Sequence, residues 1–309
     1  MSDNGRALRS KSTVTSSTET YDVLPSPVSF AAPSSTFPQE AINILAPGSK
    51  LPGLMPTELT LLRQKQRKLA KNASSTLSLC TSKHIRNALN ATLIFAQYEA
   101  GSAVCIDPAG WILTCSHCFG DDEEEYRTAE KRRWLLFYTG LAVQVECRQW
   151  DRIRDLALLK ILAIESDTGK EGGIPTFSFV PRSPRAPTHR APIVCIGQPG
   201  RDDLESTSSR RTKYNLVEVS EGMFRGMIPG ANPDENSDIG TLKHDAWTYW
   251  GHSGAPLLLE EDGTLIGLHS SWDDETTMRH GIPLVAIKHF LQERMTVAAG
   301  RSTLTSAEP

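Results

Sequence analysis

Apolar residues along this 309-residue chain come in short runs, each bounded by Gly, Pro, Asp or Ser. Ten of these runs read as β-strands: Thr92–Ala96, Ser102–Ile106, Trp111–Thr114, Trp134–Tyr138, Ala142–Arg148, Leu156–Ile161, Pro192–Ile196, Tyr214–Val219, Gly254–Leu259 and Leu265–His269. Apolar or β-branched runs this short, closed by turn formers, fit buried strands. So many of them at this spacing predict an all-β fold built as two barrels. Two stretches instead carry helical periodicity. Thr57–Lys71 sets Leu59, Leu61 and Leu62 before a basic half (Arg63, Lys65, Arg67, Lys68), with Pro56 near its start, where a helix tolerates proline. Pro283–Met295, with Val285, Ile287, Phe290 and Leu291 as its apolar positions, reads as a closing helix.

The connections are long. Asp121–Arg133 runs acidic then basic, Ser166–Arg190 is proline-rich, Arg201–Lys213 is polar, and Pro229–His244 is rich in Gly, Asn and Asp. Loops of this length usually carry function or lack order. No internal repeat is visible. Residues 1–50 contain 20 Ser, Thr or Pro and too little apolar surface to offset the entropy of ordering. Residues 1–55 are therefore expected to be a disordered arm, in which Ala41–Leu45 could dock as a short strand or helix. Residues 56–297 form the folded domain, and 298–309 a flexible tail.

Composition narrows the partners. The net charge is −3 and the hydrophobic content 39%, with a pI near 6.3; bulk charge argues for neither nucleic acid nor membrane. No apolar run approaches the ~20 residues of a membrane span, and Met1–Arg6 lacks the apolar core of a secretory signal. The expectation is an intracellular protein, cytoplasmic or nuclear. Its cysteines (Cys80, Cys105, Cys115, Cys118, Cys147 and Cys195) then read as buried reduced thiols. The basic half of the 57–71 helix reads as a solvated face, with a nuclear-import or phosphate-contacting patch as the alternative.

The most informative stretch is Gly251-His252-Ser253-Gly254-Ala255-Pro256, followed by Leu257–Leu259. A serine held between glycines in a tight turn exposes one hydroxyl, and the N–H groups of Gly251 and Ser253 can converge on a developing oxyanion. Such a turn gains meaning only beside a histidine and a carboxylate. His117 stands at the end of the Trp111–Thr114 run, after the hairpin turn Asp107–Gly110, where it can act as a general base. Asp155 opens the apolar run Leu156–Ile161, where burial against an imidazole would fix the tautomer. Asp151 competes with it but lacks an apolar run directly behind.

The order His117, Asp155, Ser253, each in its own motif, resembles the chymotrypsin-fold (trypsin-like) serine peptidases, most closely their HtrA-type and glutamyl-endopeptidase branches. Gly101–Val104, the Ile196–Gly200 turn, the Gly263–His269 strand pair and Gly281–Leu284 are further matches, and the likeness spans about residues 85–297. It implies two six-stranded antiparallel Greek-key barrels with a C-terminal helix, here with no PDZ domain after it. It also implies peptide-bond hydrolysis by a His117–Asp155–Ser253 triad, with Gly251 and Ser253 as oxyanion hole and no cofactor or metal. Ser270 matches the serine that supports the triad aspartate. Thr248 and His269 match the residues that contact an acidic side chain in glutamyl endopeptidases, which implies Glu or Asp before the cleaved bond. Cys118 falls where vertebrate trypsins carry a disulfide that the HtrA branch lacks. Two departures stand out: His252 replaces the Asp or Asn that precedes the nucleophile, and Ala255 replaces a Gly or Ser. They support a second reading, a catalytically weak double barrel used as a protein-binding module. A third reading gives the function to the arm and the basic helix.

Overall fold

The computed structural model describes residues 28–29, 37–97, 100–166, 175–201 and 211–293. Most of the expected disordered arm and the whole of the expected tail lie outside them. The chain enters through two short strands, β1 (Val28–Ser29) and β2 (Asn43–Leu45), and two helices, α1 (Pro56–Ser78) and α2 (Lys83–Ala91). Six strands follow: β3 (Thr92–Phe95), β4 (Ser102–Asp107), β5 (Trp111–Thr114), β6 (Arg132–Phe137), β7 (Ala142–Asp151) and β8 (Leu156–Glu165), with the short helix α3 (Glu123–Thr128) between β5 and β6. They pair in the order β3-β4-β5-β8-β7-β6, and β6 returns to β3, so the sheet closes. β2 adds to its outside, parallel to β8. After β9 (Thr176–Phe177), which pairs with β1, come β10 (Pro192–Gly197), β11 (Glu218–Met227), β12 (Leu242–His244), β13 (Pro256–Leu259), β14 (Leu265–Trp272) and β15 (Arg279–Pro283). They close in the order β10-β11-β12-β15-β14-β13. This is the expected pair of six-stranded antiparallel barrels. A final helix, α4, occupies residues 284–293.

Local chemistry accounts for the elements. β4 and β5 are buried along their whole length, matching their apolar runs. The hairpin between them turns on Asp107, whose Oδ1 accepts from Ala109 N at 2.8 Å, and on Gly110 at φ 83. Several features differ from the sequence expectation. The strand expected at Tyr214–Val219 runs instead over Glu218–Met227, because Gly222 must pass the Ala246 backbone so closely that a Cβ would overlap it. β12 and β15 offer too few apolar residues to be read. Helix α2 is short, capped by Ser82 Oγ accepting from Ile85 N at 3.1 Å.

Helix α1 runs on to Ser78 and buries Leu62, Lys65, Leu69, Ala73 and Thr76, one stripe at helical spacing. Its basic half is therefore split. Arg67, Lys68 and Lys71 face solvent, while Arg63 and Lys65 turn inward. Arg63 Nη1 lies 2.6 Å from Glu165 Oε2, and the same carboxylate accepts from Gln66 Nε2 at 2.9 Å and Gly48 N at 2.8 Å. α1 and the 43–51 segment are thereby fastened to the end of β8. Glu165→Gln keeps the shape and removes the charge that Arg63 faces; it should lower unfolding free energy by roughly 1–3 kcal/mol in urea titration.

Candidate active site

The predicted functional residues come from both barrels and meet at the seam between them. His117 lies in a single 3-10 turn, Ser116–Cys118, directly after β5. Asp155 ends the turn between β7 and β8, its N–H donating to Arg152 O at 3.2 Å. Asp155 adopts φ 53, a left-handed conformation that Asp tolerates better than most residues but that still carries strain of ~1 kcal/mol or more. Among the described residues only Arg190 and Thr277 share that combination of side chain and positive φ. Ala255 does not, so its Cβ brings no backbone strain to the serine turn.

Asp155 is 4% exposed, and its carboxylate is surrounded by donors. Oδ1 accepts from Ser116 Oγ at 3.0 Å and from His117 N at 3.2 Å; Oδ2 accepts from Ser270 Oγ at 2.8 Å. His117 Nδ1 lies 2.9 and 3.0 Å from the two oxygens. Burial alone would raise the Asp155 carboxyl, but the His117 charge and these hydrogen bonds hold it below its ordinary value. Burial alone would lower the His117 imidazole; the Asp155 charge and hydrogen bond, helped by Asp121, instead lift it above its ordinary value. His117 Nδ1 thus serves as the donor to Asp155, leaving Nε2 as the free ring nitrogen.

Ser253 sits between Gly251 at φ 98 and Gly254 at φ 83. Both glycines are required: a Cβ on Gly254 would overlap Ser102 O and Thr114 Oγ1, and one on Gly251 would lie 2.7 Å from Gln198 O. The Ser253 hydroxyl donates to Ser270 O at 3.4 Å rather than to His117. Trp250 O accepts from Gly200 N at 2.5 Å and Gly251 O from Ser102 Oγ at 3.1 Å. In a trans peptide the N–H points opposite to the C=O, so the Gly251 N–H faces away from the Gly200 turn. Neither it nor the Ser253 N–H has an acceptor among the described residues. His252 is fully buried with Nδ1 3.0 Å from Tyr249 O, its ring edge-on to Trp247 and His269.

A cleft of about 380 Å³ opens in front of Ser253, and His117, Thr248 and His269 line it. Behind His269 stands a residue that no sequence pattern flagged. His244 on β12 is fully buried, its Nε2 3.1 Å from His269 Nδ1 and its own Nδ1 without a partner. A bare lone pair at His244 Nδ1 costs less than an unmade N–H. The proton therefore sits on His244 Nε2, His269 Nδ1 accepts it, and His269 Nε2 carries its hydrogen toward the cleft. Burial first, then the charge of Arg279, keeps these rings neutral: His244 falls to about 3, and His252, despite its bond to Tyr249, to about 4. His269 falls well below its ordinary value through burial and its neighbouring histidines. Among the described residues one grouping could hold a metal ion, Cys115, His117 and Asp155. There the carboxylate is already saturated by donors, and burial, with Asp155 next, keeps the Cys115 thiol protonated. That donor set is poor for a metal, which needs the thiolate.

The family model for the trypsin-like peptidase domain matches residues 101–268. The chain belongs to that family. A comparison with curated protein sequences finds no significant match. Among solved structures, the crystal structure of a serine endoprotease from Yersinia pestis is 20% identical with a TM-score of 0.48, over 68% of this chain and 64% of that one. The chain thus spans less than two thirds of the length of that neighbour.

Neutral buried histidines tie stability to pH. His244, His252 and His269 have folded-state pKa values below the unfolded value of 6.5. The unfolded chain therefore binds protons that the folded one refuses, and stability is lost as pH falls below 6.5. Each of the three costs about 1 kcal/mol between pH 6.5 and 5.5; His117, shifted upward, opposes them. Urea midpoints should fall over this window, and His252→Asn should flatten the slope.

Proposed function

We propose that this protein is a serine endopeptidase acting on protein or peptide substrates. The observation that carries the reading is the saturated Asp155 carboxylate holding His117 Nδ1 at 2.9 Å beside a serine in a glycine-flanked turn on the cleft. In this mechanism Ser253 Oγ attacks the substrate carbonyl while His117 Nε2 takes its proton, and Asp155 stabilises the imidazolium without itself being protonated. The N–H groups of Gly251 and Ser253 receive the oxyanion, each donor contributing about 10²–10³ in rate. Collapse of the tetrahedral intermediate expels the amine, protonated by His117, and water repeats the sequence on the acyl-enzyme. Ser253 Oγ reaches His117 by turning away from Ser270 O, a rearrangement in keeping with loose catalytic hydrogen bonds in unliganded sites.

The same reading assigns substrate preference. Thr248 and the outward Nε2–H of His269 would bind a Glu or Asp side chain before the cleaved bond. Trp247 offers no carboxylate for Lys or Arg. His269 binds as a neutral donor, so the positive charge behind it is that of Arg279. The six free thiols, five of them buried, accord with a reducing intracellular compartment.

A fluorophosphonate probe should label the wild type, and Ser253→Ala should abolish labelling. With a cleaved peptide, Ser253→Ala or His117→Ala should lower kcat by about 10⁴–10⁶. kcat/KM should fall on the acid side with a midpoint above 6.5, since His117 must be neutral to act and its pKa is raised. A peptide library scanned at the position before the cleaved bond should favour Glu and Asp, and His269→Leu should erase that preference. Absence of labelling in folded wild type would favour the binding-module reading, which the buried His252 beside the nucleophile supports.

A further inference from the structure

Lys65 is a cation buried on a helix that lies outside the residues matching the family, 101–268. Among the described residues no carboxylate pairs with it. Its Nζ donates to Phe95 O at 2.7 Å and Gln97 O at 2.9 Å, both at the exit of β3. The third hydrogen finds Gln198. In the amide orientation that satisfies both of its atoms, Gln198 Oε1 accepts from Lys65 Nζ at 3.2 Å and Nε2 donates to Gly101 O at 3.1 Å. Burial, and then the Arg201 charge, lower the Lys65 ammonium to about 7; in its protonated form the three carbonyl acceptors use every hydrogen, which is what lets a charge stay inside.

Gln198 opens the turn that supports the nucleophile. Its backbone N donates to Ser102 Oγ at 2.9 Å, and that hydroxyl donates onward to Gly251 O at 3.1 Å. Two residues later Gly200 N binds Trp250 O at 2.5 Å. The carbonyls on both sides of Gly251 are thus held from the 198–200 turn, directly or through Ser102, and the direction of the Gly251 N–H follows from them. Space is tight throughout: a Cβ on Gly197 would lie 2.7 Å from His252 Cδ2 and 2.8 Å from Ala255 Cβ. The turn therefore has little freedom to settle elsewhere while its anchor holds.

We infer that Lys65 is a positioning residue for the peptide that receives the oxyanion, acting from helix α1 through Gln198 and the 198–200 turn. The inference rests on the peptidase reading for its kinetic consequence, and on geometry alone for its structural one. It makes α1, an addition in front of the barrels, part of the active-site apparatus. The interaction works on the transition state, because the Gly251 N–H gains importance only as negative charge develops on the carbonyl oxygen.

The test uses the full chain with Lys65→Met, which keeps side-chain length and removes the donors, and Gln198→Met, which cuts the same link at its other end. Leu69→Ala, on the same buried stripe of α1, is the stability control. Near-ultraviolet circular dichroism sets a temperature at which all are folded. With a peptide cleaved by the wild type, Lys65→Met and Gln198→Met should each lower kcat about 10- to 100-fold, with KM within about threefold, because an oxyanion donor is misaimed rather than deleted. The double variant should lose little more than either single one, and Leu69→Ala should keep the wild-type kcat. In ¹H–¹⁵N spectra the Gly251 and Gly200 amide signals should shift in Lys65→Met and not in Leu69→Ala. A wild-type kcat in folded Lys65→Met, equal kcat losses in Lys65→Met and Leu69→Ala, or unmoved glycine signals would overturn the inference. The glycine signals decide the structural claim even if the wild type resists the fluorophosphonate probe, an outcome that removes the peptidase reading instead.

Discussion

Everything at the seam follows from the burial of one negative charge. A carboxylate that is 4% exposed is tolerable only when its lone pairs are occupied, and no single element of this fold can occupy those of Asp155. The turn after β5 supplies Ser116 Oγ, the His117 N–H and the His117 ring; β14 of the other barrel supplies Ser270 Oγ. Satisfying the charge therefore brings the two barrels together in one register. The same arrangement selects the His117 tautomer and frees Nε2. Backbone strain at Asp155 and its position against barrel two are two faces of this constraint.

The sequence made some of this legible and hid the rest for physical reasons. β4, β5 and β8 were readable because they are buried on both faces and spell continuous apolar runs. β11 lies beyond its expected span, and at Gly222 it passes close to Ala246, a requirement that selects glycine and erases apolar periodicity. The periodicity of α1 is plain in the sequence, yet Lys65 reads there as part of a solvated face, since a lysine satisfied by three carbonyls spells no motif. His117, Asp155, Ser253, Thr248, His269 and Ser270 were expected together and stand together at the cleft or immediately behind it. His244 spells no local signal, because its partner is 25 residues away on β14, across the intervening strand β15.

The two barrels share one plan that the sequence conceals. Numbering the strands of each from one to six, both close in the order 1-2-3-6-5-4. No repeat is visible in the residues, because a closed barrel constrains pairing order and inward bulk rather than identity. Closure also leaves neither main sheet with an open edge, apart from the short β2 laid along the first. The long connections are then free to differ, and they do. One contains α3; another, after β11, reaches the first barrel where Asn236 N meets Ile153 O at 2.8 Å.

The division of the site between barrels has a consequence for how the protein is made. His117 and Asp155 leave the ribosome about a hundred residues before Ser253 and Ser270, and β15, which closes the second barrel, comes later still. A nascent chain stalled before residue 270 leaves Asp155 without the Ser270 donor, and one stalled before residue 253 leaves the His117 ring without Ser253 across the cleft. The seam cannot be assembled from the first barrel alone: a chain truncated before residue 253 carries His117 and Asp155 with neither Ser253 nor Ser270 to meet them.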